Sequence, residues 1–514
     1  MATKYSTKKL YFHSLVSSLV NLVIVSLYSL LVIRLTLKYL EKDEYGLVSL
    51  LAQITTYISI LDLGLYVAFS RILVDYRAGT CERYANGLKT ASYIFNILGI
   101  IGFILTSIIA LFGATWFKVP IHLNKEFIIL MLVQGISVWA TFAIKPFSAP
   151  IVSCGKNYLI YWIQSALCIV NAGVFWAALE GGYGIYSSVI ANTIQLVIFS
   201  FILIKISIPY RNTDNIRGKF SKSTFREVFS FARDSMLWQI GGQTLASLPI
   251  FLASIWFTLG TTADISAGMK LILLLVSITT RFADMSVQPL SIEFANGNHN
   301  NAAKQMTRIT GLSGGIGVSA ALFIICVNPL FLGWWMLDKI NWSSESNISG
   351  ALWIAALSIN QCMYGFAVIA KQMKLLRWAL ITECIVYLIS AYALKPMLGA
   401  NSLLCAKPAA TIIVGLYIIF LMDRNTGMKL KNIFPGLIRQ ILTLFIMAPV
   451  CLLSSNWIAT EIQNKFIAFS TAIAVSFVSI IIIFPIVFSH DLRKDLMNFI
   501  YEILNRIVPK KPLS

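Results

Sequence analysis

The sequence predicts an all-α membrane protein of about fourteen transmembrane helices, and three observations predict it. Of 514 residues, 57% are hydrophobic and 12% are charged, roughly half the charged share of a soluble chain. The mean hydropathy is +0.76. Apolar stretches of about twenty residues, the length that crosses a hydrocarbon core, recur from end to end. Lys and Arg gather in alternate short connections between those stretches. So few charges cannot cover a water-facing surface of this size, and lipid is the simplest cover for the apolar excess.

The spans fall at His13–Leu35, Gly46–Ser70, Ala91–Phe117, Phe127–Ile144, Tyr158–Leu179 and Ile185–Ile206. A second set follows at Met236–Leu259, Ala267–Leu290, Ile309–Trp334, Gly350–Ile369, Trp378–Tyr392, Leu403–Leu421, Phe434–Leu453 and Phe466–Phe488. The short basic start, Met1 to Leu10, runs into the first apolar stretch with no small-residue cleavage site, so it reads as the entry to a first helix. With the N-terminus inside, roughly three-quarters of the Lys and Arg fall on the inner side. An error in one span would scramble the later connections. The bias therefore supports an even number of spans with both termini cytoplasmic.

The organisation expected is a six-helix lobe over residues 1–210, a basic cytoplasmic linker over 211–235, a second six-helix lobe over 236–425, two further helices over 426–490 and a basic tail over 491–514. Because six spans precede the linker, a repeat would be parallel, about an axis along the membrane normal. A shift of 222 residues sets Thr36 and Leu37 on Thr258 and Leu259, Gly46 on Gly268, Leu51 on Leu273 and Asp62 on Asp284, a weak signal. In the tail, Leu492, Leu496, Phe499, Ile500, Ile503, Leu504 and Ile507 keep helical spacing among basic residues. That pattern suits a helix on the cytoplasmic leaflet, or one packed on the loops.

The net charge of +19 belongs to topology rather than to nucleic acid, because the cations sit in the connections. The eight cysteines form no CxxC pair and lie mostly within apolar segments, where they read as packing residues. The four His are scattered, so no metal site is expected. No phosphate-cradling GxxxxGK[ST] segment, cofactor signature or nucleophile–base arrangement occurs, and no enzyme is expected.

Charges inside spans are expensive and mark a pathway by default. Arg34 and Lys38 follow the first span, Asp62 and Arg71 lie in the second, and Lys145 lies beside Pro146 and Pro150. Lys270, Arg281 and Asp284 belong to the eighth span, Lys371 ends the tenth, Glu383 is in the eleventh and Lys407 in the twelfth. Two readings stand for several of them. Arg34, Lys38, Arg71, Lys145 and Lys371 are near enough to span ends to reach headgroups. Arg281 and Asp284 are placed for an intrahelical pair. The excess of positive over negative groups favours an anion, and guanidinium suits a phosphate.

The segment from Tyr39 to Arg71, YLEKDEYGLVSLLAQITTYISILDLGLYVAFSR, resembles the polysaccharide exporters of the multidrug/oligosaccharidyl-lipid/polysaccharide superfamily, the O-antigen flippases. The resemblance rests on Glu44-Tyr45-Gly46, on Leu61-Asp62-Leu63-Gly64-Leu65, and on Ala68 and Arg71. Elsewhere it is diffuse, and Val48 and Met269 depart from the pattern. It implies two six-helix lobes about a central cavity (MATE-like) with two extra C-terminal helices. It implies an undecaprenyl-pyrophosphate-linked oligosaccharide as substrate and ion-gradient-coupled alternating access in a bacterial cytoplasmic membrane. Polysaccharide polymerase and chain-length proteins would be partners, beside membrane lipids and without nucleic acid. Mapped onto this chain, Arg34, Lys270 and Arg281 are first candidates for the headgroup, with Arg71, Lys145 and Lys371 next. Asp62, Asp284 and Glu383 are candidates for coupling or ion pairing. A peptidoglycan-precursor flippase and a drug or cation antiporter of the same fold are the alternatives; the antiporter would need acidic groups in its cavity.

Overall fold

The computed structural model describes residues 7–62, 64–211, 216, 218–280, 290, 299–370, 372–426, 433–488 and 492–494. Apart from short 3-10 turns, it is built from α-helices: α1 (Thr7–Tyr39), α2 (Lys42–Ser59), α3 (Leu65–Ala78), α4 (Cys81–Trp116), α5 (Asn124–Ser153), α6 (Asn157–Glu180), α7 (Ser187–Ser207), α8 (Lys222–Trp256) and α9 (Leu259–Gly268). There follow α10 (Lys270–Thr280), then α11 (His299–Trp335), α12 (Ser344–Ile369), α13 (Met373–Leu398), α14 (Ser402–Thr426), α15 (Phe434–Glu461) and α16 (Lys465–Val487).

Ten stretches of the described residues are long and apolar enough to cross a membrane, and the broken pair α9–α10 adds one more. The stretch Lys374–Phe420 holds two helices, α13 and α14, parted by the turn Gly399–Asn401. Counting those separately and adding α8 and α12 reaches the fourteen expected. The chain is a multi-pass membrane protein.

Polar side chains set the helix starts. Glu41 and Glu44 close a reciprocal capping box on α2. Thr80 caps α4, Ser221 caps α8, and Asn464 accepts two backbone N–H groups of α16.

The chain divides into two compact units, Met1–Ala267 and Gly268–Ser514. In the first, α4 lies along α5, α1 along α6, and α7 against α5 and α6, while α8 packs on α2 and α3. In the second, α12 joins α11 to α14, α13 lies on α14, and both C-terminal helices pack on α11. The division falls after α8, whereas the linker was expected at 211–235. Helix α8 already starts at Lys222 within that segment, because the Ser221 cap precedes a helix-compatible run. The tail beyond residue 494 lies outside the described residues.

Helix α4 shows how the lipid face is written. Ile97, Ile100, Ile101, Ile104, Ile108 and Leu111 are exposed along one side, at the spacing of a single helix face. Leaving such side chains in water would forfeit about 1.5–3 kcal/mol each, so hydrocarbon is their medium. The other side carries Gly99, Gly102, Thr106 and Gly113, all buried. A methyl at Gly102 would meet Val138 on α5 at 2.8 Å, which marks a close helix approach built on small residues.

One expected span differs in form. Gly46–Ser70 was read as a single helix, but it is interrupted: α2 ends at Ser59, a 3-10 turn covers Ile60–Asp62, and Gly64 takes a left-handed φ of 72° before α3. The cause is local. Asp62 Oδ1 accepts the Tyr66 backbone N–H at 2.9 Å and so starts a new helix, and glycine alone adopts that φ without strain.

Candidate functional site: a polar groove in the first unit

A groove of about 310 Å³ opens between α2, α5, α6 and α7. Its walls carry Thr55 and Ser59 from α2, Gln134, Ser137 and Thr141 from α5, Gln164 from α6, and Asn192 and Gln195 from α7, with Val138, Leu196 and Phe199 among them. The eight polar side chains are all uncharged. They lie within helices of membrane-crossing length. The four hydroxyls each donate to a carbonyl one turn back on their own helix, which leaves the amides. An amide group without a partner costs about 2–7 kcal/mol in an apolar medium, so the amide groups facing the groove call for water or a polar ligand. The interrupted α2–α3 span agrees, since non-helical backbone at membrane depth is tolerated beside protein or a wet cavity.

The two stripes continue past the groove into charge. Thr55 and Ser59 lead on to Asp62, and Ser137 and Thr141 lead, one turn at a time, to Lys145. Lys145 Nζ donates to Asp62 Oδ2 at 2.7 Å, with the two side chains 21% and 19% exposed. The ammonium also lies 4.5 Å from the centre of the Phe142 ring, a second favourable contact for a partly desolvated cation. Asp62 therefore serves twice, as the start of α3 and as the partner of Lys145.

Behind the groove the amides are fixed from within. Asn171, 1% exposed, accepts the Tyr28 hydroxyl at 2.5 Å. Its Nδ2 donates to Asn192 Oδ1 at 3.1 Å and to Gln195 Oε1 at 2.6 Å. Both Nδ2 hydrogens of Asn171 are thereby used, and the side-chain NH₂ groups of Asn192 and Gln195 are left to the groove.

The other site candidates are dispersed. Arg34 is half-buried on α1, away from the groove walls. Arg71 is exposed on α3 and pairs with Asp75 one turn on, at 3.0 Å. In the second unit, Lys270 is half-buried at the start of α10. Glu383 is 1% exposed and accepts from Tyr364 at 2.7 Å and Thr411 at 2.8 Å. Lys407, 2% exposed, lies one turn before Thr411 with its ammonium 3.7 Å from the Trp353 ring centre. Arg281, Asp284 and Lys371 fall outside the described residues. The structure thus brings Asp62 and Lys145 together, and it adds eight neutral residues that sequence reasoning passed over. Their signal was present, in the polar spacing of Thr55, Ser59 and Asp62 and of Gln134, Ser137, Thr141 and Lys145, but a search for charge does not see it.

No family model matches this chain, and no curated protein matches it in sequence. Solved structures do match in fold. The lipid II flippase MurJ in an inward closed conformation superposes with a TM-score of 0.67 at 15% identity, covering 93% of this chain and 98% of that one. An inward-facing multidrug resistance MATE transporter of the MOP superfamily gives 0.66 at 13% identity, over 79% of this chain and 95% of the other. An outward-facing MATE transporter gives 0.59 at 12% identity, over 82% and 96%. The fold is the one shared by the flippase MurJ and the MATE transporters.

Proposed function

We propose that this chain moves a lipid-linked oligosaccharide across a bacterial cytoplasmic membrane by alternating access. The observation that carries the reading is the neutral, hydrogen-bonding groove set into membrane-length helices and ended by a lysine. Sugar hydroxyls need many uncharged donors and acceptors, and the groove supplies them. A pyrophosphate needs cations, and the basic residues read within spans supply those: Lys145 beside the groove, with Arg34, Lys270, Arg281, Arg71 and Lys371 as further candidates. The fold shared with a lipid II flippase supports the same reading. It also favours a second one, in which the lipid-linked sugar is a peptidoglycan precursor. A drug or cation antiporter suits the groove less well, because it would need acidic groups in its cavity and the side chains lining this groove are uncharged. Both termini are cytoplasmic in this proposal, an ion gradient drives the cycle, and polymerase and chain-length proteins take the product.

The test is translocation in proteoliposomes of a fluorescent undecaprenyl-pyrophosphoryl oligosaccharide, read by its exposure to a membrane-impermeant lectin. The wild-type protein is expected to translocate it. Lys145→Gln is expected to lose about tenfold in rate, the worth of one charge-assisted contact, with insertion unchanged. An undiminished rate at normal insertion would remove Lys145 from the pathway. Failure of the wild-type protein on this lipid would remove the proposal.

A further inference from the structure

We infer that Asn192 and Gln195 form a paired donor site that selects sugars bearing an oxygen acceptor substituent, an acetamido carbonyl or a carboxylate. This deepens the proposed function and rests on it. The inference follows from the direction of a hydrogen-bond chain. Tyr28 donates to Asn171 Oδ1, which turns the Asn171 amide so that its two hydrogens meet Asn192 Oδ1 and Gln195 Oε1. Both carbonyl oxygens are therefore held inward, toward a side chain that is itself buried. What remains on each is an NH₂ group, one helical turn apart on α7, in the wall of the groove. Neither NH₂ group has a partner among the described residues.

The opposite walls reinforce the choice. Gln134 and Gln164 also line the groove, and their amides make no hydrogen bond among the described residues. They can turn either way to follow a sugar hydroxyl. Asn192 and Gln195 cannot turn without breaking the bonds to Asn171. The groove thus combines two adaptable amides with two fixed donors. A fixed donor pair rewards an oxygen that accepts twice, and it leaves a substituent that can only donate without a partner. Such asymmetry between a met and an unmet polar group is the usual source of strong discrimination.

The experiment compares translocation, in the same proteoliposomes, of undecaprenyl-pyrophosphoryl N-acetylglucosamine, the glucuronic acid analogue and the glucose analogue. The wild-type protein is expected to prefer one or both acceptor-bearing lipids over the glucose lipid by about tenfold. The acetamido and glucuronic arms separate the two acceptor types. Asn192→Leu and Gln195→Leu are expected to abolish the preference, lowering the rates of the acceptor-bearing lipids by about tenfold more than that of the glucose lipid. Tyr28→Phe, which alters no groove-lining residue, is expected to weaken the preference by freeing Asn171 to turn. A role in folding alone would lower all three rates together and leave their ratio unchanged, and that result overturns the inference. So does a wild-type protein that moves all three lipids equally, or variants that retain the preference; both leave the proposed function standing. A wild-type protein that moves none of the three removes both readings.

Discussion

Replacing Gly46 with alanine is expected to stop transport while leaving a protein that still inserts. Gly46 lies in the first turns of α2, where its Cα faces the backbone of Leu259 at the start of α9. A Cβ there would collide with the Leu259 carbonyl and stand 2.7 Å from its carbonyl carbon. Backbone cannot rotate away as a side chain can, so α2 and α9 must separate. Two interactions depend on their approach. Lys42 pairs with Asp264 at 2.7 Å, and the Tyr45 and Ser266 hydroxyls meet at 3.4 Å. Alanine is worth roughly 1 kcal/mol more than glycine to an isolated helix, so helix propensity predicts a gain and the contact predicts a loss. The sign is therefore informative. In a Lys42→Cys, Asp264→Cys background, a short bismaleimide should cross-link efficiently with Gly46 present and poorly with Gly46→Ala. Equal cross-linking and equal transport would show that alanine is accommodated at this contact without separating α2 from α9, and would contradict the prediction.

The second large effect belongs to Glu383. It is buried on α13, held by Tyr364 and Thr411, and Lys407, also buried, lies one turn before Thr411 on α14. If Lys407 is its counter-charge, removing Glu383 alone costs about 3–5 kcal/mol, because the other charge stays behind without compensation. Glu383→Leu should therefore melt at a markedly lower temperature in detergent. The double variant Glu383→Leu, Lys407→Leu should regain much of the loss, since apolar replacement of a whole pair is often neutral. A double variant no more stable than Glu383→Leu would mean that Glu383 matters through Tyr364 and Thr411 and not through Lys407.

The fold was legible in the sequence because its signal is redundant. Each hydrocarbon-length run announces a helix, and the alternation of basic connections checks the count. The break at Ile60–Gly64 was harder to read, although Asp62 and Gly64 carried it, because a hydropathy window averages over a three-residue turn. The site was less legible. Charge inside a span is conspicuous, so Asp62 and Lys145 were found, but their pairing depends on how α5 lies against the α2–α3 break. The groove amides carry no charge and lie on four helices. Only packing shows that Gln134, Gln164, Asn192 and Gln195 share one cleft.

The central claim is that this cleft is wet and takes the sugar. The most direct measurement is labelling of single cysteines, in a cysteine-free background, by a membrane-impermeant maleimide. Asn192→Cys should react readily and be protected by undecaprenyl-pyrophosphoryl oligosaccharide, while Ile100→Cys on the outer face of α4 should stay unlabelled with or without that lipid. An unreactive Asn192→Cys beside a labelled Ile100→Cys would contradict the account.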